Sequence, residues 1–410
     1  MTFEPRQPSR SSRVAPIGIK GHDPGKPVLT AVRTYNFDLL AYPRLPEGAP
    51  GTPIPSTFFD PAVGASNYRE HIDEMAYCEE LGFDGVMFNE HHYSAYGTMP
   101  SPNLIAAALS QRTNKMRIGV LGNILPLRSH PVRVAEEYAM LDCLTNGRLI
   151  AGFVRGVPGE YLWYNVDPRE SRGRFEEAYE LIMTAWTQPT WSYDGQFFHF
   201  HDCALWPRPV QQPHPPVWVA ARSAESIEWC AARRIPIAQV YQSTGQIADT
   251  FGYYRKVAGE AGWDPPSETF ILCRHIHVAD SDDQARNVLE PALRYFFTLL
   301  NRGFNDAGSE RAVQQREVLS ALYSDRSMAY FRPENRERIN FAQLGWDDLE
   351  ATGYVICGSP DTVARKLKQQ MSEIGADQFM GLFHVGNMPH SSVVSSLELF
   401  SREVLPSLRG

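Results

Sequence analysis

The chain has 410 residues, 43% of them hydrophobic and 21% charged, with a formal net charge of −8 at pH 7. That is enough apolar sequence for a large core, and the acidic balance with dispersed Lys and Arg excludes a nucleic-acid-binding surface. No apolar run reaches the length of a membrane span, and the basic N-terminal stretch lacks the apolar segment of a secretory signal.

The Pro-, Ser- and Arg-rich residues 1–34 read as a flexible extension. From there on, short apolar runs alternate with helical patterns. The candidate strands are 36–40, 85–88, 117–121, 149–153, 217–220, 236–240, 270–278 and 378–385. Buried strands alternating with helices imply a parallel sheet, and eight such units imply closure into an α/β (β/α)₈ TIM barrel over 35–408. Helix punctuation agrees. Pro131 opens a helix that Asn146–Gly147 stops, Ser171 opens another, and Ser359–Pro360 opens a third that ends at Gly375. Two stretches exceed a minimal barrel: a Pro- and Gly-rich loop at 44–61 and a charged, mainly helical insertion at about 286–352. Such insertions shape or cover barrel active sites. The six cysteines (Cys78, Cys143, Cys203, Cys230, Cys273, Cys357) are scattered without CxxC spacing. They are expected to be buried thiols in a reducing cytoplasm.

Chemistry-bearing residues gather at the strand ends. The second strand runs into Asn89–Glu90–His91–His92–Tyr93, at the rim where barrel enzymes keep their sites. Neighbouring side chains there point to opposite sides, so His91 and His92 have different jobs, and either also fits simple hydrogen bonding in the barrel mouth. The third strand ends in Gly119–Val120–Leu121–Gly122–Asn123. Its glycines suit either close approach of a flat ring or a tight strand exit. Arg155 ends the fourth strand where a phosphate can bind. Arg172 and Arg174 start a helix, where cations need an anion or an acidic partner, and for Arg174 pairing with a nearby glutamate is preferred. After the fifth strand, Arg222–Ser223–Ala224–Glu225–Ser226 opens a helix whose free N–H groups suit a phosphate and whose Ser223 suits an N-cap. His199 and His201, and His275 and His277, have i, i+2 spacing, but no carboxylate or Cys at ligand spacing completes a metal set. One or both of His275 and His277 can face the barrel interior. There is no GxGxxG, P-loop or GxSxG motif.

In order and spacing, Glu90–His91–His92, Ile118–Gly119, Leu125–Pro126, His130–Pro131–Val132–Arg133, Ala135–Glu136, Leu141–Asp142, Gly147–Arg148 and Arg155–Gly156 resemble the bacterial luciferase family of flavin monooxygenases. Gly358–Ser359–Pro360, Gly375–Ala376–Asp377 and Glu403–Val404–Leu405–Pro406 extend the resemblance, which runs from about Asn36 to Leu408. It implies that His91 is the catalytic histidine. It implies a cis peptide at Leu121–Gly122 beside the flavin, with Asn123 in the same cofactor segment, flavin contacts from Arg155 and Arg172, and a phosphate site at Arg222, Ser223 and Ser226. Arg222 departs from the acidic residue of luciferase, leaving backbone donation as the shared feature. Val154 replaces a luciferase cysteine, so that position supplies no thiol.

The activity implied is a two-component monooxygenase. A separate NAD(P)H:flavin reductase supplies FMN as FMNH2, O2 adds to form a C4a-peroxyflavin, and a small organic substrate is oxygenated. The implied assembly is a homodimer or other homo-oligomer. The substrate pocket is expected around 44–61, 93–100 and parts of 286–352. Tyr93, Tyr96 and Met99, with Phe296, Phe297 and Phe304, point to a hydrophobic molecule, although helix packing accounts for the phenylalanines equally well. The competing readings are F420-dependent hydride transfer on the same barrel and a non-catalytic flavin-binding protein.

Overall fold

The computed structural model describes residues 31–50, 53–304, 330–335 and 343–409, with positions 310, 313–314 and 317. Residues 1–30 of the extension, positions 51–52 of the first long loop and much of the 286–352 insertion lie outside the described residues.

Among the described residues, eleven strands succeed one another: β1 Arg33–Asp38, β2 Gly85–Phe88, β3 Arg117–Ile124, β4 Leu149–Val154, β5 Trp191–Asp194, β6 His199–Cys203, β7 Val217–Val219, β8 Ile237–Gln239, β9 Phe270–Val278, β10 Val355–Gly358 and β11 Gln378–Leu382. Eight of them close a parallel ring in the order β1, β2, β3, β4, β7, β8, β9, β11 and back to β1. These are the eight strands expected from sequence, with ends shifted by a few residues. All four residues of β2 and all nine of β9 are buried, which is why strands covered on both faces read as apolar runs. Two features were not anticipated. β5 and β6 form an antiparallel hairpin outside the barrel. β10 pairs with His275–Val278 of β9, beyond the point where β8 stops pairing at Leu272.

Local signals set the helix ends. α1 (Pro61–Glu80) starts with Pro at its first position, and the Asp60 carboxylate accepts from the Ala62 and Val63 N–H groups. α2 (Pro102–Ser110) and α3 (Val132–Thr145) follow, and α3 stops at Asn146 in the left-handed conformation (φ 52°). The helix Pro360–Ile374 is capped by Ser359 and stopped by Gly375 at φ 64°.

Polar groups buried behind the ring are tied together. Arg274 projects from β9 toward the helix Pro360–Ile374, donating to Gln370 Oε1 and to the Gln242 carbonyl. Burial lowers its pKa to about 10. At the top of α1, Glu74 accepts from His384 Nδ1 (2.8 Å) and His390 Nδ1 (2.6 Å), while Asp38 holds His71 Nδ1. His71, Glu74 and His384 bring possible metal-ligating atoms within 4.8 Å of one another. However, the two imidazoles stack in parallel at 3.9 Å and 9°, so their in-plane lone pairs do not converge on one ion. The cluster reads as a tie between α1 and the C-terminal segment.

The six cysteines are free, and Cys78, Cys230, Cys273 and Cys357 are buried as expected. Cys143 is exposed and Cys203 half-buried, because they lie on the outer face of a helix and in the outer hairpin. No helix among the described residues is long and apolar enough to cross a membrane.

Candidate active site

A cavity of ≈ 260 Å³ opens among the C-terminal ends of the strands, where parallel barrels gather their loops. Phe37, Leu39, Leu121 and Met380 give it an apolar floor. Its polar side chains come from two directions.

The first is the exit of β2. His91 lines the cavity with its ring largely covered, and His92 turns away, although both lie past the end of β2. His92 Nε2 meets Glu90 Oε1 at 2.6 Å and its Nδ1 meets the Tyr164 hydroxyl at 2.9 Å. Glu90, fully covered, also accepts from Arg128 and from the Ile124 N–H. That set locks the β2 exit to the β3 exit. Facing the cavity, His91 Nε2 lies 2.9 Å from Asn89 Nδ2, and its Nδ1 lies 3.2 Å from Glu160 Oε1 and 3.1 Å from the Tyr96 hydroxyl. Burial, then the neighbouring Glu160 and Tyr241, push the Tyr96 phenol well above its ordinary pKa, so it stays neutral.

Glu160 belongs to α4 (Pro158–Tyr164), which comes after β4 through Gly156 at φ 86°. A side chain at 156 would come within 2.6 Å of Ile124 Cγ2. Pro158 opens the turn, and Glu160 at its third position reaches back to accept from the Val157 N–H at 2.8 Å.

The second direction is the start of two helices, α5 (Ser171–Thr187) and α6 (Ala224–Arg233). Ser223 caps α6, its Oγ accepting from Ser226 N and lying 2.9 Å from Ser226 Oγ. Arg172 reaches across from α5 to Ser223 Oγ at 3.4 Å and Glu225 at 3.7 Å, and lies 3.5 Å from Glu176 one turn along its own helix. Arg155 and Arg222 complete this polar side. Arg174 instead pairs with Glu170 at 2.8 Å and lies over the Phe197 ring, the pairing preferred from sequence.

Of the residues singled out from sequence, His91, Leu121, Arg155, Arg172, Arg222, Ser223 and Ser226 all line this one cavity. Gly122 and Asn123 do not. The Leu121–Gly122 peptide is cis, and a side chain at 122 would strike the Gly152 backbone at 2.6 Å; here the tight strand exit is the reason for glycine. Asn123 is buried behind the strand, donating to Asn103 Oδ1 and the Tyr138 hydroxyl. The pairing of β3 with β4 shifts register between Val120 and Asn123, which accompanies the change of side.

Tyr93, Tyr96 and Met99 also stand off the main cavity. Tyr93, at φ 52°, turns the chain outward and is exposed. With Tyr96, His92 and Trp163 it borders a separate small hollow. Tyr96 acts from behind His91, and Met99 is buried in the core, its carbonyl accepting from the His91 N–H. Phe296 and Phe297 are core residues packed on His275; the Phe304 side chain lies outside the described ones. The sequence gives Asn89 no evident role and does not point to Glu160, whose one local signal is its place two residues after a helix-opening proline.

Comparison with known proteins accords with this geometry. A family model described as luciferase-like monooxygenase matches residues 51–378. The alkanal monooxygenase alpha chain of Photorhabdus luminescens is 33% identical over 335 residues, covering 81% of this chain and 89% of that protein. The oxygenase component of the flavin-dependent trigonelline monooxygenase of Acinetobacter baylyi is 27% identical over 354 residues, covering 83% and 89%. Two solved structures share the fold. The FMN complex of the oxygenating constituent of 3,6-diketocamphane monooxygenase from Pseudomonas putida has a TM-score of 0.69 at 17% identity, covering 92% of this chain and 98% of that one. An F420-dependent secondary alcohol dehydrogenase has a TM-score of 0.66 at 16% identity, covering 93% and 100%. The chain, a parallel eight-stranded barrel with its polar groups gathered at the strand ends, belongs to the luciferase-like monooxygenase family.

Proposed function

We propose that the protein is the oxygenase of a two-component system. It takes reduced FMN from a separate NAD(P)H:flavin reductase and uses O2 to oxygenate a small, largely hydrophobic organic substrate. The observation that carries this reading is the meeting, in one cavity, of a half-buried, hydrogen-bonded histidine and a cationic helix start. Among the described residues, Arg172 makes long contacts of 3.4–3.7 Å to Ser223, Glu176 and Glu225. An anion at the start of α6 gains from this cation, the helix N–H groups and the dipole. The residues therefore fit a flavin phosphate, and Phe37, Leu39, Leu121 and Met380 offer an apolar face to its ring.

Reduced flavin, when bound, supplies the electrons that activate O2. The chain supplies the rest. Arg155, Arg172, Ser223 and Ser226 hold the phosphate end, and the floor residues orient the ring and keep water away. His91 holds or moves the proton that decides whether the oxidant acts as nucleophile or electrophile. The Acinetobacter baylyi relative is named as the oxygenase component of a flavin-dependent trigonelline monooxygenase, which supports a separate reductase here. The F420-dependent neighbour of the same fold supports hydride transfer as the second reading.

Three measurements decide. Titration with reduced FMN, reduced riboflavin and reduced F420 is expected to favour FMN by at least about tenfold over riboflavin, since charge-assisted hydrogen bonds contribute about 1.5–3 kcal/mol; equal affinity rules the phosphate seat out. With an unrelated flavin reductase supplied, mass spectrometry of a substrate panel is expected to show a product heavier by one oxygen atom; activity with F420 alone selects the second reading. Steady NADH consumption by the purified protein alone, dependent on FMN and substrate, shows a self-sufficient enzyme instead.

A further inference from the structure

We infer that Glu160 is the positioning residue for His91, fixing the imidazole with its proton on Nδ1 and its lone pair on Nε2. The inference rests on the functional reading above only for its catalytic consequence. Its structural content stands on the contacts.

Glu160 is fully covered, and its two oxygens have separate tasks. Oε2 accepts from the Val157 N–H, and Oε1 faces His91 Nδ1 at 3.2 Å. Consider the two neutral tautomers of His91. With the proton on Nε2, a bare Nδ1 lone pair would face the Glu160 carboxylate oxygen at 3.2 Å in a water-poor setting, a repulsion that donation from the Tyr96 hydroxyl offsets only in part. Asn89 does not separate the two forms, since its amide can turn to serve either; the Glu160 carboxylate does. With the proton on Nδ1, that N–H donates to Glu160, the Tyr96 oxygen stands beside it at 3.1 Å, and Asn89 Nδ2 donates to the Nε2 lone pair at 2.9 Å. Every contact is then of the right sign.

Asn89 adds a second property. Its Oδ1 is buried without a hydrogen-bond partner among the described residues. A half-turn of the amide exchanges donor for acceptor, so the same residue can serve Nε2 as a lone pair or as an N–H. The imidazolium would then be held on one side by an anion and on the other by a carbonyl. That is an arrangement for accepting a proton at Nε2, the nitrogen next to the cavity residue Asn89, and returning it.

The experiment is ¹⁵N NMR of ring-labelled histidine in the full chain, assigned with His91→Gln as the blank. In the wild type, His91 is expected to show a pyrrole-type Nδ1 and a pyridine-type Nε2. Glu160→Ala is expected to move His91 toward the Nε2–H form that free imidazole side chains favour in water, and turnover is expected to fall about 10-fold or more with flavin affinity held. Glu160→Gln, whose amide oxygen can still accept from Nδ1–H, is expected to restore the tautomer and part of the turnover, and it controls for folding. An unchanged His91 spectrum in a folded Glu160→Ala protein overturns the assignment. An altered spectrum with unaltered turnover in both Glu160→Ala and His91→Ala leaves the positioning role standing and overturns the catalytic role of His91.

Discussion

Two strand exits at the same barrel rim carry paired histidines and use them in opposite ways. At the β2 exit, His91 and His92 each have hydrogen-bonding groups at both ring nitrogens. At the β9 exit, His275 Nε2 and His277 Nδ1 are buried with no partner among the described residues. Burial, helped at His275 by the adjacent Arg274 cation, depresses their pKa values to about 3 and about 4. The residue type is the same, yet the surroundings decide its chemistry. One exit surrounds its histidines with hydrogen-bonding partners, as the proposed role of His91 requires. The other is furnished to exclude a proton, and the His275 imidazole serves as flat, neutral packing against Tyr241, Phe296 and Phe297. This contrast can be broken or sharpened at four places.

The largest expected effect is on acid stability. His275 and His277 have folded pKa values below the unfolded value of about 6.5. As pH falls below that value the unfolded chain takes up protons that the folded chain refuses. Their contribution is therefore complete above about pH 6.5 and is lost as pH falls toward 4 and then 3. Each group adds a slope of up to about 1.4 kcal/mol per pH unit in that window. Urea unfolding measured at half-unit steps from pH 7 to pH 4 tests this. A flat stability over that range, with the two histidines shown to be neutral, breaks the comparison.

Next comes the lock at the β2 exit. Glu90→Gln removes the anion that Arg128 and His92 share. Loss of one partner from a buried ionic set costs about 3–5 kcal/mol, and the partly exposed Arg128 puts this case at the lower end. The expected result is a melting temperature lowered by several degrees. No change would mean that the Glu90 set is dispensable and that the β2 exit is held by backbone alone.

The same contrast explains how much of the molecule is legible in its sequence. The eight barrel strands show there because burial on both faces leaves runs such as Leu149–Val154 entirely apolar. β10 is not among them: its four residues follow the short helix Trp346–Ala351 at the end of the long insertion and pair with β9 outside the ring. The hairpin β5–β6 is hidden because its residues are mostly exposed or half-buried. Among site residues, those at the strand ends and helix starts can be found, because the barrel itself sends them to one mouth. The failures turn on which side a residue faces. A left-handed residue at Tyr93 and a register shift before Asn123 each redirect the side chains after them, and neither has a mark in composition. Glu160 is invisible for another reason. It meets His91 across 69 residues of chain, a contact that exists only once β2 and β4 stand in the closed ring.

The third place is His91 itself. His91→Ala leaves the Glu90 set intact, so the melting temperature and reduced-FMN affinity are expected to stay near wild type. Turnover is expected to fall about 10²-fold, the usual scale for one general acid or base. Retained turnover would remove the functional half of the comparison and leave the two exits differing only in structure.

The smallest effect is expected on the opposite side of the rim. His275→Leu replaces an imidazole with an apolar side chain of similar size, in a site where one ring nitrogen has no partner among the described residues. Removing a buried, unsatisfied polar atom is close to neutral or slightly stabilising, because no hydrogen bond is lost and a desolvation penalty is relieved. At pH 7, turnover and flavin affinity are therefore expected within about twofold of wild type, well short of the 10²-fold expected at His91. The one clear change should appear in acid, where the stability curve loses the share of its slope that belongs to residue 275. Paired measurements at pH 7 and pH 5 read both parts. A large loss of turnover in a folded His275→Leu protein would show that the β9 exit handles protons after all. The contrast between the two exits would then collapse, with His275 joining His91 in the chemistry.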